Sequence, residues 1–124
     1  MKNKIDHLPN KIPIFPLSNF IIFPKTTVPL NIFEPRYIDM VDDAMKSNKI
    51  IGMIQPLKSN KNVPILYNVG CAGKITSFSE TDDGRYLIVL TGVSRFKIIE
   101  ELKNDKLYRE CYINFNDFDY DFEE

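Results

Sequence analysis

One histidine, two cysteines, no surplus of either charge and no long apolar run: each scarcity in this chain removes a class of function. The single histidine is His7, near the start, so Ser-His and Cys-His nucleophile pairs and two-His metal sites are excluded together. Cys71 and Cys111 belong to no Cys-x-x-Cys pair, and the reading expects them unlinked, as small buried hydrophobes of a reducing compartment. Lys plus Arg number 16 against 17 Asp plus Glu, a net charge of -1, so no global positive field draws the chain to phosphate backbones and nucleic acid is disfavoured. The densest apolar run near the start, Phe20 to Phe23, falls far short of the ~20 residues of a membrane-spanning helix. Met1 to Pro9 carries positive charge without the apolar segment and small-residue cleavage site of a secretory signal, so the expected location is cytoplasmic, with no membrane and no cofactor. What is present, 124 residues with 44% hydrophobic and 27% charged, suits one domain that buries about two-thirds of its unfolded surface.

Three near-motifs fail on chemistry. Gly70-Cys71-Ala72-Gly73-Lys74 has too few residues between its glycines for a phosphate-binding loop, Ile75 where Ser or Thr should follow the lysine, and a strand where a helix should begin. Glu80, Asp82 and Asp83 lack the spacing and ligand number of a calcium loop and suit a solvated hairpin tip. Lys74 and Ser77 are rejected as a Ser-Lys dyad because residues three apart in a strand point to opposite faces.

Proline punctuates the first third. Pro16, Pro24 and Pro29 have no N–H to give a ladder, so they mark strand ends, edges or corners. Pro35 forces Glu34 into an extended conformation and suits the first turn of a helix, so the chain is predicted to switch from strand to helix between them. Strands are expected over residues 12–17 and 28–33. A helix follows over 35–47, with Tyr37, Met40, Val41, Ala44 and Met45 on its apolar face and Asp39, Asp42, Asp43 and Lys46 on a solvated one. Lys49 to Gln55, with Ile50, Ile51, Met53 and Ile54, reads as a buried strand closed by Pro56, 57–64 as an exposed loop, and Val69 to Glu80 as a strand whose Gly70, Ala72 and Gly73 permit a bulge or a close backbone crossing. Asp82-Asp83-Gly84 is a hairpin signal. The following strand, Tyr86 to Ile99, bends near Thr91-Gly92, and Leu87 to Leu90 is expected to be covered on both faces. A last strand alternates Leu107, Arg109, Cys111, Ile113 and Phe115 inward against Tyr108, Glu110, Tyr112 and Asn114. Together these elements point to an α+β fold with a curved, barrel-like sheet of mostly antiparallel strands.

Two ordered blocks carry a family resemblance. The first is Phe15-Pro16-Leu17, Phe23-Pro24 and then Pro29 through Tyr37. The second runs from Gly70 to Tyr86 and on through Leu90-Thr91-Gly92-Val93-Ser94-Arg95-Phe96. Over roughly residues 12 to 113 the chain resembles the Lon protease N-terminal domain, also called the Lon substrate-binding domain, in the form found in small stand-alone proteins without the ATPase and peptidase regions. The resemblance implies a PUA-like pseudobarrel with one main helix near residues 35-47. It also implies a non-enzymatic role in binding unfolded or extended polypeptides, alone or beside a protease or chaperone, as a monomer or weak dimer. The domain is expected over 12-116, after a flexible 1-11 and before an acidic aromatic tail, 117-124, leading into a C-terminal region. An RNA-binding PUA-like module would need a basic aromatic surface, and Lys is locally enriched only at 58–61 and in the first eleven residues. A structural or oligomerising module is the third reading.

For binding, the expected peptide site is Phe20, Ile21, Ile22 and Phe23 beside Phe33 and Tyr37, with Glu34, Pro35 and Arg36 as a structural corner; the other reading of the 20–23 run, and the favoured one, is that it is folded under the barrel. An unfolded segment would lay apolar side chains there and add main-chain hydrogen bonds to a free strand edge. Each apolar anchor would contribute about 1.5 to 3 kcal/mol before ordering costs, so two or three give weak, micromolar-class affinity.

Overall fold

The computed structural model describes residues 8–17, 22–56 and 68–122. Strands β1 (Lys11–Pro16) and β2 (Thr27–Ile32) precede helix α1 (Pro35–Met45); β3 (Ile50–Ile54), β4 (Val69–Glu80), β5 (Tyr86–Glu101) and β6 (Arg109–Asn114) follow, and a short 3-10 segment occupies Asn116–Phe122. The expected 57–64 loop lies outside the described residues.

The six-stranded sheet runs β2-β5-β4-β3-β1-β6, and a further β5–β6 pairing closes it into a barrel. All pairings are antiparallel except β1 with β3. One edge of β5 serves two partners: its first half, Tyr86 to Thr91, holds β2, and its second half, Lys97 to Glu101, holds β6. The barrel is therefore closed beside β6, while β2 ends the sheet with its far edge unpaired among the described residues.

Alternation explains the core. β3 is buried at every position. Ile51 and Met53 join Phe15, Ile75, Ile88 and Leu90 with Met40, Val41 and Ala44 of α1, whereas Ile50 and Ile54 join Ile12, Ile14, Phe96, Cys111 and Ile113 in a second cluster without helix residues. Cys71 and Cys111 are both free and buried, one in each cluster. The strand-to-helix switch falls where proline geometry puts it, with Glu34 extended at ψ 134° and Pro35 opening the helix. The glycine corner is real: a Cβ on Gly70 would lie 2.5 Å from the Met53 carbonyl oxygen and 2.7 Å from the Phe96 ring. Gly84, at φ +85°, makes the hairpin turn.

Four expectations need correction. Leu87 is 43% exposed, so the Leu87 to Leu90 run has one buried face, Ile88 and Leu90, and one open to solvent. Tyr108 and Glu110 are buried and Leu107 exposed, because the start of β6 turns its other face toward α1. The acidic face of α1 is not merely solvated: Asp42 accepts the Tyr86 hydroxyl at 2.7 Å and Asp43 the Tyr108 hydroxyl at 2.5 Å, pinning the helix to β5 and to the approach to β6. Finally, a bulge between Ile75 and Ser77 makes Thr76 an extra residue, so Lys74 opposite Thr91 and Ser77 opposite Val89 share a face. Parity does not exclude that dyad. Exposure does, since both side chains stand in solvent and an activated lysine needs burial.

Candidate functional site

Two apolar cavities include expected site residues, and they share no lining residue. The larger, 400 Å³, lies at the strand-to-helix corner between Phe15, Pro16 and Leu17 on one side and Pro29 to Phe33 on the other, with Glu34, Arg36 and Tyr37 at its end. It is the seam left where β2 and the end of β1 do not pair. β6 covers β1 only over Lys11 to Ile14, so Phe15 and Pro16 reach past it. The smaller cavity, 160 Å³, has Ile22 and Phe23 on one wall and Met53, Cys71 and Arg95 on others.

The corner is built from its sequence. Phe33 directly precedes the Glu34-Pro35 switch and, with no ladder partner, stands 67% exposed. Tyr37, one turn into α1, packs its ring 4.5 Å from Phe15 and is buried; Arg36 lies over the same ring at 4.7 Å and meets Glu34 at 3.6 Å. Both charged partners are about half exposed, so that ion pair orients the corner more than it stabilises it. Burial pushes the Tyr37 phenol above its usual range, partly offset by the Arg36 charge, so that phenol stays protonated at physiological pH.

The preceding loop divides. Phe20 and Ile21 lie outside the described residues. Ile22 is folded into the core, whereas Phe23 is 58% exposed. The Thr26 hydroxyl donates to the Phe23 carbonyl at 2.7 Å, and Lys25, at φ +67°, donates its N–H to the Gly92 carbonyl at 2.8 Å, tying the loop to β5. Gly92 is required there: a Cβ would stand 2.0 Å from the Phe23 carbonyl oxygen. Phe23 precedes β2 and Phe33 follows it, so six residues of strand, about 20 Å, separate them. The structure thus brings Phe33, Glu34, Pro35, Arg36 and Tyr37 together and leaves Ile22 and Phe23 at the other end of β2.

Sequence reasoning missed Phe15, Leu17 and Leu30 as groove walls, and it missed Asp121. This carboxylate, 8% exposed, takes the Arg95 backbone N–H at 2.9 Å and the Arg95 guanidinium at 3.0 Å through each oxygen, while Arg95 also covers the Phe118 ring at 4.8 Å. No local pattern signals this pair, because the partner of Asp121 lies 26 residues upstream. Burial pushes the Cys71 thiol up to about 12, so this wall of the smaller cavity carries no nucleophile. Among the described residues no three His, Cys, Asp or Glu side chains gather as a metal site, and no helix is long and apolar enough to cross a membrane.

Comparison with known proteins finds the same region. The family of ATP-dependent protease La (LON) substrate-binding domains matches residues 11–124. The Lon protease of Desulfosudis oleivorans is 31% identical over 104 residues, which are 81% of this chain and 13% of that protein. The Lon protease of Flavobacterium johnsoniae is 27% identical over 103 residues, again 81% and 13%. The chain thus spans about an eighth of the length of these relatives. A Lon N-terminal domain protein from Xanthomonas campestris superposes with a TM-score of 0.69 at 27% identity, covering 85% of this chain and 59% of that one. The N-terminal domain of a Mycobacterium avium complex Lon protease shares the fold, with a TM-score of 0.66 over 85% of this chain and 54% of that one at 16% identity.

Proposed function

The chain belongs to the family of ATP-dependent protease La (LON) substrate-binding domains, and on that premise we propose that it binds unfolded or extended polypeptides without acting on them chemically. The single observation that carries this reading to a place on the molecule is the 400 Å³ seam at the corner, walled by Phe15, Leu17, Leu30, Phe33 and Tyr37. It is the size of a pocket that takes one or two side chains, and it carries few charges, so it discriminates by hydrophobicity. Nothing in the site favours catalysis: the buried thiols are pushed upward, and the matched family region is the substrate-binding part. The chain works in the cytoplasm as a monomer or weak dimer, handing clients to a protease or chaperone. An RNA-binding role is not favoured: the net charge is -1 and the groove is apolar.

The test is a titration of a reduced, carboxymethylated model protein against the wild-type chain, Phe33→Asp and Phe23→Asp, each checked for folding by circular dichroism. Both side chains are exposed, so neither change should unfold the domain. Binding in the micromolar range, little altered by salt and lost in folded Phe33→Asp, is expected. Wild-type affinity in folded Phe33→Asp removes the seam from the site, and an affinity that collapses with modest salt favours a charged surface.

A further inference from the structure

Resting on that reading, we infer that the polypeptide is held as an added β-strand on the free edge of β2, paired main chain to main chain with Thr27, Pro29 and Asn31 and seating alternate side chains in the seam beside Leu30, Phe33 and Tyr37.

The assignment follows from the ladder. Gly92 donates its N–H to the Thr26 carbonyl at 2.7 Å, which turns the Thr26 carbonyl toward β5. From there the register runs unbroken, Thr27 opposite Thr91 to Ile32 opposite Tyr86. Main-chain groups alternate sides along an antiparallel strand, so those of Val28, Leu30 and Ile32 point to β5 and those of Thr27, Pro29 and Asn31 point away. Pro29 agrees, since a residue without an N–H fits only on the outward side of such a strand. The free edge therefore offers three carbonyls but only two donors, Thr27 and Asn31, four residues and about 13 Å apart. Alternating donors and acceptors at a two-residue repeat are complementary to one occupant, an extended polypeptide backbone. Pro29 limits the pairing, which blunts self-association of two such edges while leaving outer bonds for a client.

A second unpaired edge exists and fits less well. β3 stops pairing with β4 at Lys74, so among the described residues Thr76 to Glu80 have a free side, yet all five are exposed and mostly hydroxylated or charged. A strand added there would gain backbone bonds without anchors. At β2 the edge and the seam coincide, because Pro29 to Phe33 supply both.

The experiment separates main chain from side chain. Asn31→Pro removes an outward N–H and no bond to β5, at a parity where the strand already carries proline; Asn31→Ala removes the side chain and keeps the N–H. Both full-length variants are titrated with the reduced, carboxymethylated model protein and followed by circular dichroism and thermal unfolding. The expected result is an affinity at least about tenfold weaker for Asn31→Pro and near wild type for Asn31→Ala. Should Asn31→Pro fail to fold, an alternating Val-Thr peptide N-methylated at every valine, and another at every threonine, test the same bonds from the client's side. One of the two is expected to lose binding and the other to keep it, because an added strand pairs through one edge. Undiminished binding by folded Asn31→Pro, or equal affinity of the two methylated peptides, overturns strand addition and leaves polypeptide binding standing. Absence of wild-type binding to the unfolded protein overturns both.

Discussion

Arg95 and Asp121 meet fork to fork, Nε to Oδ2 and Nη2 to Oδ1, each at 3.0 Å, and the same carboxylate caps the Arg95 backbone N–H at 2.9 Å. Arg95 also lines the smaller cavity, whose other walls include Ile22 and Phe23. Charge-assisted bonds of this kind are each worth about 1.5 to 3 kcal/mol, less where the guanidinium is partly solvated as here. Asp121→Ala should therefore lower unfolding free energy by about 1 to 3 kcal/mol in urea titrations, far more than a change at exposed Asp82.

The same contact predicts a pH dependence. Hydrogen bonding from Arg95 holds the Asp121 carboxyl below its usual range. A depressed folded value means that the stabilisation is present above the unfolded value of about 3.9 and is lost as pH falls through the lower folded one. Acid titrations of stability should show a shallower loss in Asp121→Asn than in wild type below about pH 4; equal slopes would exclude the pair as the source.

Tyr108 and Tyr86 fasten α1 by donating to Asp43 and Asp42. Burial raises the Tyr108 phenol, the bond to Asp43 adding to it, and the bond to Asp42 pushes Tyr86 up to about 12. Raised folded values contribute stability that is complete below the unfolded value of about 10 and drains as pH rises toward the folded ones. Tyr108→Phe is expected to cost about 1 to 2 kcal/mol at neutral pH and to weaken the alkaline loss of helix signal in circular dichroism.

Burial lifts the thiols of Cys71 and Cys111 to about 12 and about 11. A thiol that is almost never a thiolate at pH 8 reacts slowly even when reached. Ellman titration of the native protein should detect no fast thiol, and denaturation should release two; a fast-reacting native thiol would contradict the packing described for both clusters.

Gly92→Ala tests the loop. Its Cβ would fall 2.0 Å from a backbone oxygen, which cannot rotate away as a side chain could, so the Phe23–Lys25 turn must move. A loss of at least about 2 kcal/mol is expected by chemical denaturation, with altered exposure of Phe23.

Local chemistry made much of this legible. Pro35 after Glu34 placed the helix start to the residue, Asp82-Asp83-Gly84 placed the hairpin, and the small residues around Gly70 placed a corner. What stayed hidden depends on partners distant in sequence. No period in the α1 pattern shows that Asp43 waits for Tyr108, 65 residues on. Nothing around Ile75 announces a bulge, because the sequence there has ordinary strand residues and the extra residue is set by pairing with β5. The groove escaped for the same reason: Phe15 and Leu30 belong to strands that do not pair, and only the closed barrel brings them face to face.

β1 lies between β3 and β6, with Ile12 opposite Cys111. Among the described strands the first in chain order thus has one edge that only the sixth covers, and the side of Ile12 and Ile14 that meets Cys111 and Ile113 stays open until β6 has been made. Closing so long a loop costs entropy before any contact repays it, so the barrel should fold in milliseconds to seconds, not microseconds. Newly made chains would spend that interval with one edge of an apolar strand exposed, open to capture until β6 closes the barrel.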